Sequence, residues 1–542
     1  MSMHTGMGGS RLVLGTVVGA IAFGLLVQSC GSGGGDNVFR PTYGPVDPLN
    51  AGDVQKVLEQ AATAADGPMS VAVTDRQGSI LGVFSRQSSS DNDNIAVSLA
   101  RTTSFFANSQ APLTSRTVQF LAEFHFPPTF GLPIQPSVCP SSGACGGVTV
   151  VAPTYTVTGV VGTTQGPLWQ INATNRGAPI AGVAGTDYNP GQAYPRSLNI
   201  NGTFPSPGIT LLPGAIPLYK QGPGQGVDFS IRLVGGVGVY KGAENVDVAE
   251  FAAWSGADGY RFDIPPEGKV VLGGVRLPSR APIDTRPAGF GPGSVAGGSF
   301  VVPPRNGNVD PFGYLIGPRS SPLGNFPAQT VDQIIQQCIQ QADITRAAVR
   351  LPSGSSAKVI MTITDLNGLI LAHYRMEDNL TDAVDVVPAK ARTVVYYSRP
   401  EGPAPQDAIP GIPNGTATTT TALGFLSQPF FPPGIDGTAP GPLFDLALQN
   451  QRPSQATRLG NAPPSPGLQN GLTFFPGAVP LYDSSGNLIG GLGVSGDGVE
   501  NNDLVAEAGA KGFEPPPEIR IDNFTFQGLR IPYLKFQRNP TK

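Results

Sequence analysis

The sequence predicts an α+β protein that contains one sheet-and-helix unit twice, with long Pro/Gly-rich insertions. The chain matches itself at five points in the same order, and each copy reads as helix, hairpin, helix, hairpin, helix. The 542 residues include 72 glycines and 55 prolines, which weaken helix and strand interiors and therefore indicate long irregular segments. The hydrophobic share of 40% is enough for at least two packed cores.

The strongest internal match is a shared Thr-Asp-x-x-Gly-x-Ile-Leu pattern in residues 69–81 and 360–371. The other matching pairs are 120–128 with 425–433, 166–169 with 441–444, 213–219 with 476–482, and 235–239 with 490–494. Five matches in one order indicate a tandem duplication. We therefore predict one unit at 50–280 and a second at 328–535, joined by a Gly-, Pro- and Arg-rich linker at 281–327.

Each element of the unit follows from a local pattern. Apolar residues at i, i+3, i+4 and i+7 predict an opening helix from Val54 and again from Val331. Alternating residues before Asp365-Leu366-Asn367-Gly368 predict a hairpin, whose turn needs glycine for its positive φ. A second helix is expected at 384–397, strands with internal glycines at 488–494, and a final helix at 502–510.

Charge and composition exclude some classes of function. The formal net charge of −4 argues against a nucleic-acid-binding surface, which would be basic. Three histidines in the whole chain argue against a multi-histidine metal centre. No P-loop, Gly-x-Ser-x-Gly, His-Glu-x-x-His or EF-hand pattern occurs, so no catalytic residues are predicted.

The N-terminus is predicted to be a targeting segment. Arg11 precedes an apolar run of about 16 residues, which is shorter than the roughly 20 residues of a membrane-spanning helix. Ser29 directly before Cys30 resembles a bacterial lipobox, which implies a signal peptide at 1–29 and a lipid (palmitate-type) anchor on Cys30. Residues 30–49 then form a flexible tether. An ordinary secretory signal is the alternative.

The remaining cysteines suit an exported protein. Cys139 and Cys145 lie in one Pro/Gly/Ser-rich loop, and a local disulfide between them is predicted over a two-thiol metal site. Cys338 falls on the apolar face of a predicted helix and is expected to be a core residue.

The second unit resembles the GlcG/HbpS haem-binding-like family, and the first is similar but degraded, with Arg101 where Lys390 stands. The resemblance implies a five-stranded antiparallel sheet with flanking helices, usually an oligomer, and haem binding for some members. The matching pieces are Asp365-x-x-Gly368, Tyr374–Asp378, Asp385, Lys390–Thr393, Pro476–Leu481, Gly490–Gly496 and Asp503–Gly509.

Five residues are candidates for a haem site. His373 is the predicted iron ligand, with Met376 as a softer option, and a surface-strand histidine is the alternative. Lys390 and Arg392 are candidates for pairing with propionates, unless they lie on a solvated helix face. His125, between two phenylalanines, suits a planar ligand, although the second copy has Phe430 there and simple packing is the competing interpretation.

Three functions are compatible with the sequence. The leading hypothesis is a lipid-anchored, extracytoplasmic, non-catalytic binding protein for haem or a related tetrapyrrole. The alternatives are a structural or surface-assembly lipoprotein that kept the fold without a ligand, and an enzyme acting on haem or a small organic acid. Gly31 after Cys30 favours the outer membrane of the bacterial envelope by resemblance. A homo-oligomer or an envelope protein partner is also open.

Overall fold

The structure is a computed structural model that describes residues 47–128, 163–169, 171, 208–221, 231–450, 472–536 and 540–541. The predicted signal peptide, Cys30 and the loop that carries Cys139 and Cys145 lie outside these residues. Across the described ranges, every helix is too short or too polar to span a bilayer.

Both units contain the predicted helix, hairpin, helix, hairpin and helix in that order, together with further short helices and strands. The first unit consists of α1 (Ala51–Ala64), β1 (Met69–Asp75), β2 (Ile80–Arg86), α2 (Ser90–Phe106), α3 (Ser115–Leu121), β3 (Ala215–Gln221), β4 (Ile231–Tyr240), α4 (Val246–Gly256), β5 (Val271–Leu272), β6 (Val275–Arg276) and β7 (Ser299–Val302). The second consists of β8 (Gly313–Ile316), α5 (Ala328–Ile344), β9 (Ile360–Asp365), β10 (Ile370–Arg375), α6 (Ala383–Ser398), α7 (Thr420–Leu426), α8 (Phe444–Asn450), β11 (Ala478–Tyr482), β12 (Leu488–Ser495), α9 (Val499–Gly509), β13 (Thr525–Phe526) and β14 (Leu529–Arg530).

The two large sheets have the same strand order. One is β3-β4-β1-β2-β7 and the other is β11-β12-β9-β10-β8, and every pairing in both is antiparallel. The turn between the central strands is also the same, because Gly78 (φ 82°) and Gly368 (φ 74°) each donate a backbone hydrogen bond to the aspartate three residues earlier. The α+β fold class and the five-stranded antiparallel sheet are therefore confirmed.

The segment between the units does more than link them. It supplies the fifth strand of each sheet, because β7 pairs with β2 and β8 pairs with β10. After each strand comes a Pro-Arg pair whose arginine Nε donates to the neighbouring strand, Arg305 to Ile80 O (2.6 Å) and Arg319 to Ile370 O (2.8 Å). Four-residue strands framed by glycine and proline have too few residues to show a period, so composition predicted only a linker.

Each sheet is covered on both faces. One face packs on α1 and α4 in the first unit, and on α5 and α9 in the second. The other face lies against α2 or α6, and glycines in β4 and β12 permit a very close approach. A Cβ on Gly236 would lie 2.4 Å from Ala100 O, and one on Gly491 would lie 2.3 Å from Ala391 O. The close approach predicted from strand glycines is therefore present.

A buried ionic cluster joins the two units. The Asp378 carboxylate accepts hydrogen bonds from Arg76 of the first unit (2.6 Å), from Arg350 (2.8 Å), and from the backbone and hydroxyl of Ser109. Arg76 and Arg375 both pair with Asp310 as well. Burial raises the pKa of Asp378, but Arg76 and Arg350 lower it more, so it lies well below its ordinary value.

Candidate functional site

His373, the predicted iron ligand, lies inside the second unit between the sheet and α6. It is fully buried on β10, opposite Thr362 of β9, and its Nδ1 shares a 2.7 Å hydrogen bond with the Thr362 hydroxyl. The first unit has Val83 opposite Ala72 at the same register position. The second unit thus replaces an apolar pair by a hydrogen-bonded polar pair.

Met376 lies on the other side of the same sheet. It packs in the core formed with Met361 and Val359, under α5 and α9. His373 shares a face with Thr362, and successive strand residues point to opposite faces. The structure therefore does not bring His373 and Met376 together at one metal ion.

Lys390 is buried on α6 and turns toward the β11–β12 edge. Its ammonium donates to Pro476 O (2.6 Å), Val494 O (3.0 Å) and Ser495 Oγ (3.1 Å), which uses all three of its protons. Burial lowers the pKa of Lys390 to about 7, against the opposing attraction of Asp503.

Asp503 of α9 is held by the second unit's insertion and C-terminal arm. Its Oδ2 accepts from the Thr421 hydroxyl (2.6 Å) and from the backbone of Lys535 (2.9 Å). Burial raises the pKa of Asp503 to about 6, although the Thr421 hydrogen bond lowers it. The position has a counterpart in the first unit, where Glu250 accepts from the backbone of Ala281 (2.7 Å).

Arg392 points toward the β9–β10 turn, away from the lysine site. Its Nε donates to Gly368 O (2.8 Å), just as the Arg101 Nε donates to Gly78 O (2.9 Å) in the first unit. Arg101 therefore corresponds to Arg392. The sequence comparison placed it opposite Lys390, which is wrong by two residues.

Leu99 is the residue of the first unit that corresponds to Lys390. A Cβ built on Gly238 would meet the Leu99 Cβ at 2.6 Å, and one on the equivalent Gly493 would meet the Lys390 Cβ at 3.3 Å. Of the two units, only the second therefore has a buried cation at this position. The first unit adopts the same fold with an aliphatic side chain there.

His125 lies where the insertions of the two units meet. Its Nδ1 is 2.9 Å from Thr163 O, and its Nε2 is 3.6 Å from the Asp436 carboxylate of the second unit. Phe124 meets the imidazole edge-on at 4.8 Å and also contacts Phe430 at 5.5 Å. The predicted aromatic surroundings of His125 are therefore present, but the rings pack against other side chains of this protein.

Together, the described residues do not fit an enclosed haem. Lys390 donates its three protons to backbone and hydroxyl oxygens, and the Arg392 Nε donates to a backbone carbonyl. His373 and Met376 face opposite sides of a sheet. Two hollows among the described residues each have room for about one water, roughly 10 Å³, and reach only about 170 and 240 Å³ with their open mouths counted. Small-molecule sites usually have about 300–1,000 Å³. The described residues also hold no cluster of three or more potential metal-binding side chains.

Sequence reasoning missed the ionic cluster at the contact between the units. Its members come from the hairpin of one unit, the linker, and two segments of the other, so no local spacing predicts them. Asp378 also adopts a positive φ of 61°, which non-glycine residues rarely occupy and which the sequence does not reveal.

The fold and this interior define a duplicated, antiparallel α+β unit with closely packed helices on both faces of each sheet. Residues 338–511, about a third of the chain, match the family model described as "Haem degrading protein HbpS-like". The second unit is thus an HbpS-like domain, as its sequence motifs indicated.

Two solved structures are similar to part of the chain. "Crystal Structure of PduOC:Heme Complex" has 20% identity, covering 34% of this chain and 92% of that chain, with a TM-score of 0.21. "Crystal structure of Klebsiella pneumoniae protein ORFY, family-model DUF336" has 18% identity, covering 34% of this chain and 88% of that chain, also with a TM-score of 0.21. Comparison with curated proteins finds no match.

Proposed function

We propose that this chain is a lipid-anchored, extracytoplasmic protein that uses two HbpS-like units as a non-catalytic structural body, without an enclosed ligand. The observation that carries the proposal is the internal use of the candidate ligand-binding groups. Lys390 and Arg392 bind the protein's own carbonyls, and His373 is sealed between sheet and helix.

The insertions support a structural function in a second way. Aromatic and aliphatic side chains of α7, α8 and the C-terminal arm form their own core against the far end of α6. The cross-unit contacts of His125 and Asp436, and of Arg76 and Asp378, bind the two units to each other. These contacts suit a rigid body held at a membrane surface.

Haemin titration of the full chain, followed at the Soret band, tests this proposal. We expect no stoichiometric band shift, and the same spectrum for His373→Val, which installs the residue of the first unit. Ordered self-association on size-exclusion chromatography is the accompanying expectation for a surface-assembly protein. A saturable one-to-one shift that His373→Val removes would contradict the proposal.

Haem or tetrapyrrole binding is the second candidate, and the family description over residues 338–511 favours it. In that case His373, Met376, Lys390, Arg392 and His125 stay the predicted contacts, and α6 must move away from the sheet to admit the ring. His125→Phe, which installs the residue that the second unit has at Phe430, then distinguishes two places of haem binding. Weaker binding in this variant would indicate binding where the insertions meet, and unchanged binding would indicate binding in the second unit. Loss of haem absorbance with reductant and oxygen would favour an enzyme instead.

The lipid anchor is a separate prediction. Changing Cys30→Ala should release the protein from the membrane fraction, because stable attachment then lacks its acyl chains. Cys338→Ala is the matched control, since that thiol is buried in a helix and should not affect fractionation. Retention of the Cys30→Ala protein in outer-membrane vesicles would contradict lipidation at this residue.

A further inference from the structure

A short loop in the segment between the units carries two strongly exposed apolar side chains. Val309 is 65% exposed and Phe312 is 59% exposed, the two highest fractions among the large apolar side chains of the described ranges. We call residues 309–312 the apolar loop. A single exposed apolar side chain is common on a protein surface, whereas two of them side by side favour a contact surface.

The apolar loop is fastened from below by polar groups. The carboxylate of Asp310 accepts a hydrogen bond from Arg375 Nη2 (2.7 Å) and pairs with Arg76 Nε (3.0 Å). The side-chain amide of Gln77 donates to Val309 O (2.7 Å). The one charged group of the loop is therefore paired with two buried guanidinium groups. Because the loop is already ordered, a partner that docks on it pays little conformational entropy.

The apolar loop lies beside the point where the chain enters the fold. The residues just before the loop bind the start of α1, since Gly307 N donates to Leu49 O (2.8 Å) and Ala51 N donates to Asn306 Oδ1 (2.9 Å). Leu49 is fully buried, and Asp47 is the first described residue. The apolar loop thus adjoins the N-terminal end of the described structure.

The length of chain before this end limits its distance from a lipid anchor. Residues 30–46 separate Cys30 from Asp47. These 17 residues span at most about 60 Å when fully extended. The r.m.s. end-to-end distance of a Gly/Ser-rich coil of this length is roughly 20–25 Å. Acyl chains on Cys30 would therefore hold the apolar loop close to the bilayer.

We propose that the apolar loop docks onto the lipid bilayer that holds Cys30, an inference that rests on the lipid anchor of the proposed function. Val309 and Phe312 enter the boundary between headgroups and acyl chains, as the apolar face of an interfacial segment does. Two side chains bind a membrane only weakly by themselves, and the anchor makes this contact effective by keeping the loop near the surface. Since the loop presents no unpaired charge, docking should not require anionic lipid.

Quenching by brominated lipids tests the proposal. The full chain with Phe312→Cys carries a nitrobenzoxadiazole dye on that thiol and is reconstituted in phosphatidylethanolamine and phosphatidylglycerol vesicles with brominated acyl chains. We expect a blue shift and a roughly twofold loss of emission, because the dye reaches the acyl boundary. The same dye on Ile435→Cys, a position with 52% exposure outside the loop, is the matched control and should stay unquenched. Cys338 is buried, and the unsubstituted chain gives the labelling background.

The outcomes separate docking from anchoring. The intact mass of the purified chain shows whether Cys30 carries acyl chains. An acylated chain whose dye at position 312 is quenched no more than the dye at position 435 would overturn docking and leave the anchor standing. A chain without acyl groups would overturn the anchor, and the docking proposal with it. A blue shift that grows with protein concentration without vesicles would show that a second copy covers the loop, and would also overturn docking on lipid.

Lipid composition and a second substitution test the apolar character of the contact. Vesicles of phosphatidylcholine should quench the dye at position 312 as strongly as the anionic vesicles do. Val309→Ser in the labelled chain should lower the quenched fraction roughly threefold, since less apolar surface enters the bilayer. Val271→Ser, at a 48% exposed position, is the matched control and should leave quenching unchanged. Quenching that needs anionic lipid, or that ignores Val309→Ser, would overturn the proposal.

Discussion

Lys390 shows how one residue changes the interior without changing the fold. The first unit folds with Leu99 in that place, whereas the second buries an ammonium on three oxygen acceptors. The pKa of Lys390 falls to about 7 because burial penalises the charged form. Lys390 and Arg392 were candidates for pairing with propionates, but residues two apart on a helix face different directions.

The pH dependence of stability should report this lysine. The unfolded chain, with a lysine pKa of about 10.4, binds more protons than the folded chain between pH 7 and 10, so stability should rise with pH there. Lys390→Met should flatten that slope, whose total is on the order of a few kcal/mol. Urea unfolding from pH 6 to 10 measures it. Leu99→Met is the matched control, and an unchanged slope in Lys390→Met would refute the shifted pKa.

At the level of elements, segments with a strong periodic pattern were predicted correctly, whereas short edge strands were not. The opening helices, the Asp-x-x-Gly hairpins and the glycine-rich inner strands were all predicted, because each carries a repeating apolar pattern or a required glycine. The edge strands β7 and β8 were missed, although Phe300-Val-Val-Pro-Pro-Arg305 and Tyr314-Leu-Ile-Gly-Pro-Arg319 are themselves a repeat. The grouping of the candidate haem contacts could not be predicted for a different reason. The alternation of side chains along a strand and the hydrogen-bond partners of each side chain decide which residues come together.

The arginine after each edge strand should fasten that strand. Arg319→Ala removes the hydrogen bond to Ile370 O, and a charged hydrogen bond of this kind is worth about 1.5–3 kcal/mol. We expect faster amide exchange in β8 and the facing edge of β10. Arg305→Ala should have the same effect on β7 and β2 and leave the second sheet unchanged. Exchange that rises equally in both sheets would contradict this local function.

At the scale of the whole molecule, the buried ionic cluster makes two homologous units into one body. Asp378 sits among Arg76, Arg350 and Ser109, and removing one partner of a buried ion pair costs about 3–5 kcal/mol. Folding lowers the pKa of Asp378. Its contribution to the stability of the folded protein is therefore complete above the aspartate pKa of the unfolded chain, about 4, and decreases as the pH falls below that value.

Asp378→Asn should therefore destabilise the protein at pH 7 and uncouple the units. Differential scanning calorimetry should show one main transition for the unchanged chain and two separated transitions for the variant. Asp247→Asn, which alters an exposed partner of Arg116, is the control and should cost less than about 1 kcal/mol. A single transition at an unchanged temperature in Asp378→Asn would mean that the cluster does not couple the units.

We propose above that the interior of the second unit, which matches the HbpS-like model over residues 338–511, is closed among the residues that the structure describes. The most direct measurement is the haemin titration of the full chain beside His373→Val, read as the Soret difference spectrum per mole of protein. We expect superimposable spectra without a stoichiometric endpoint. A sharp endpoint at one haemin per chain, lost only in His373→Val, would contradict it.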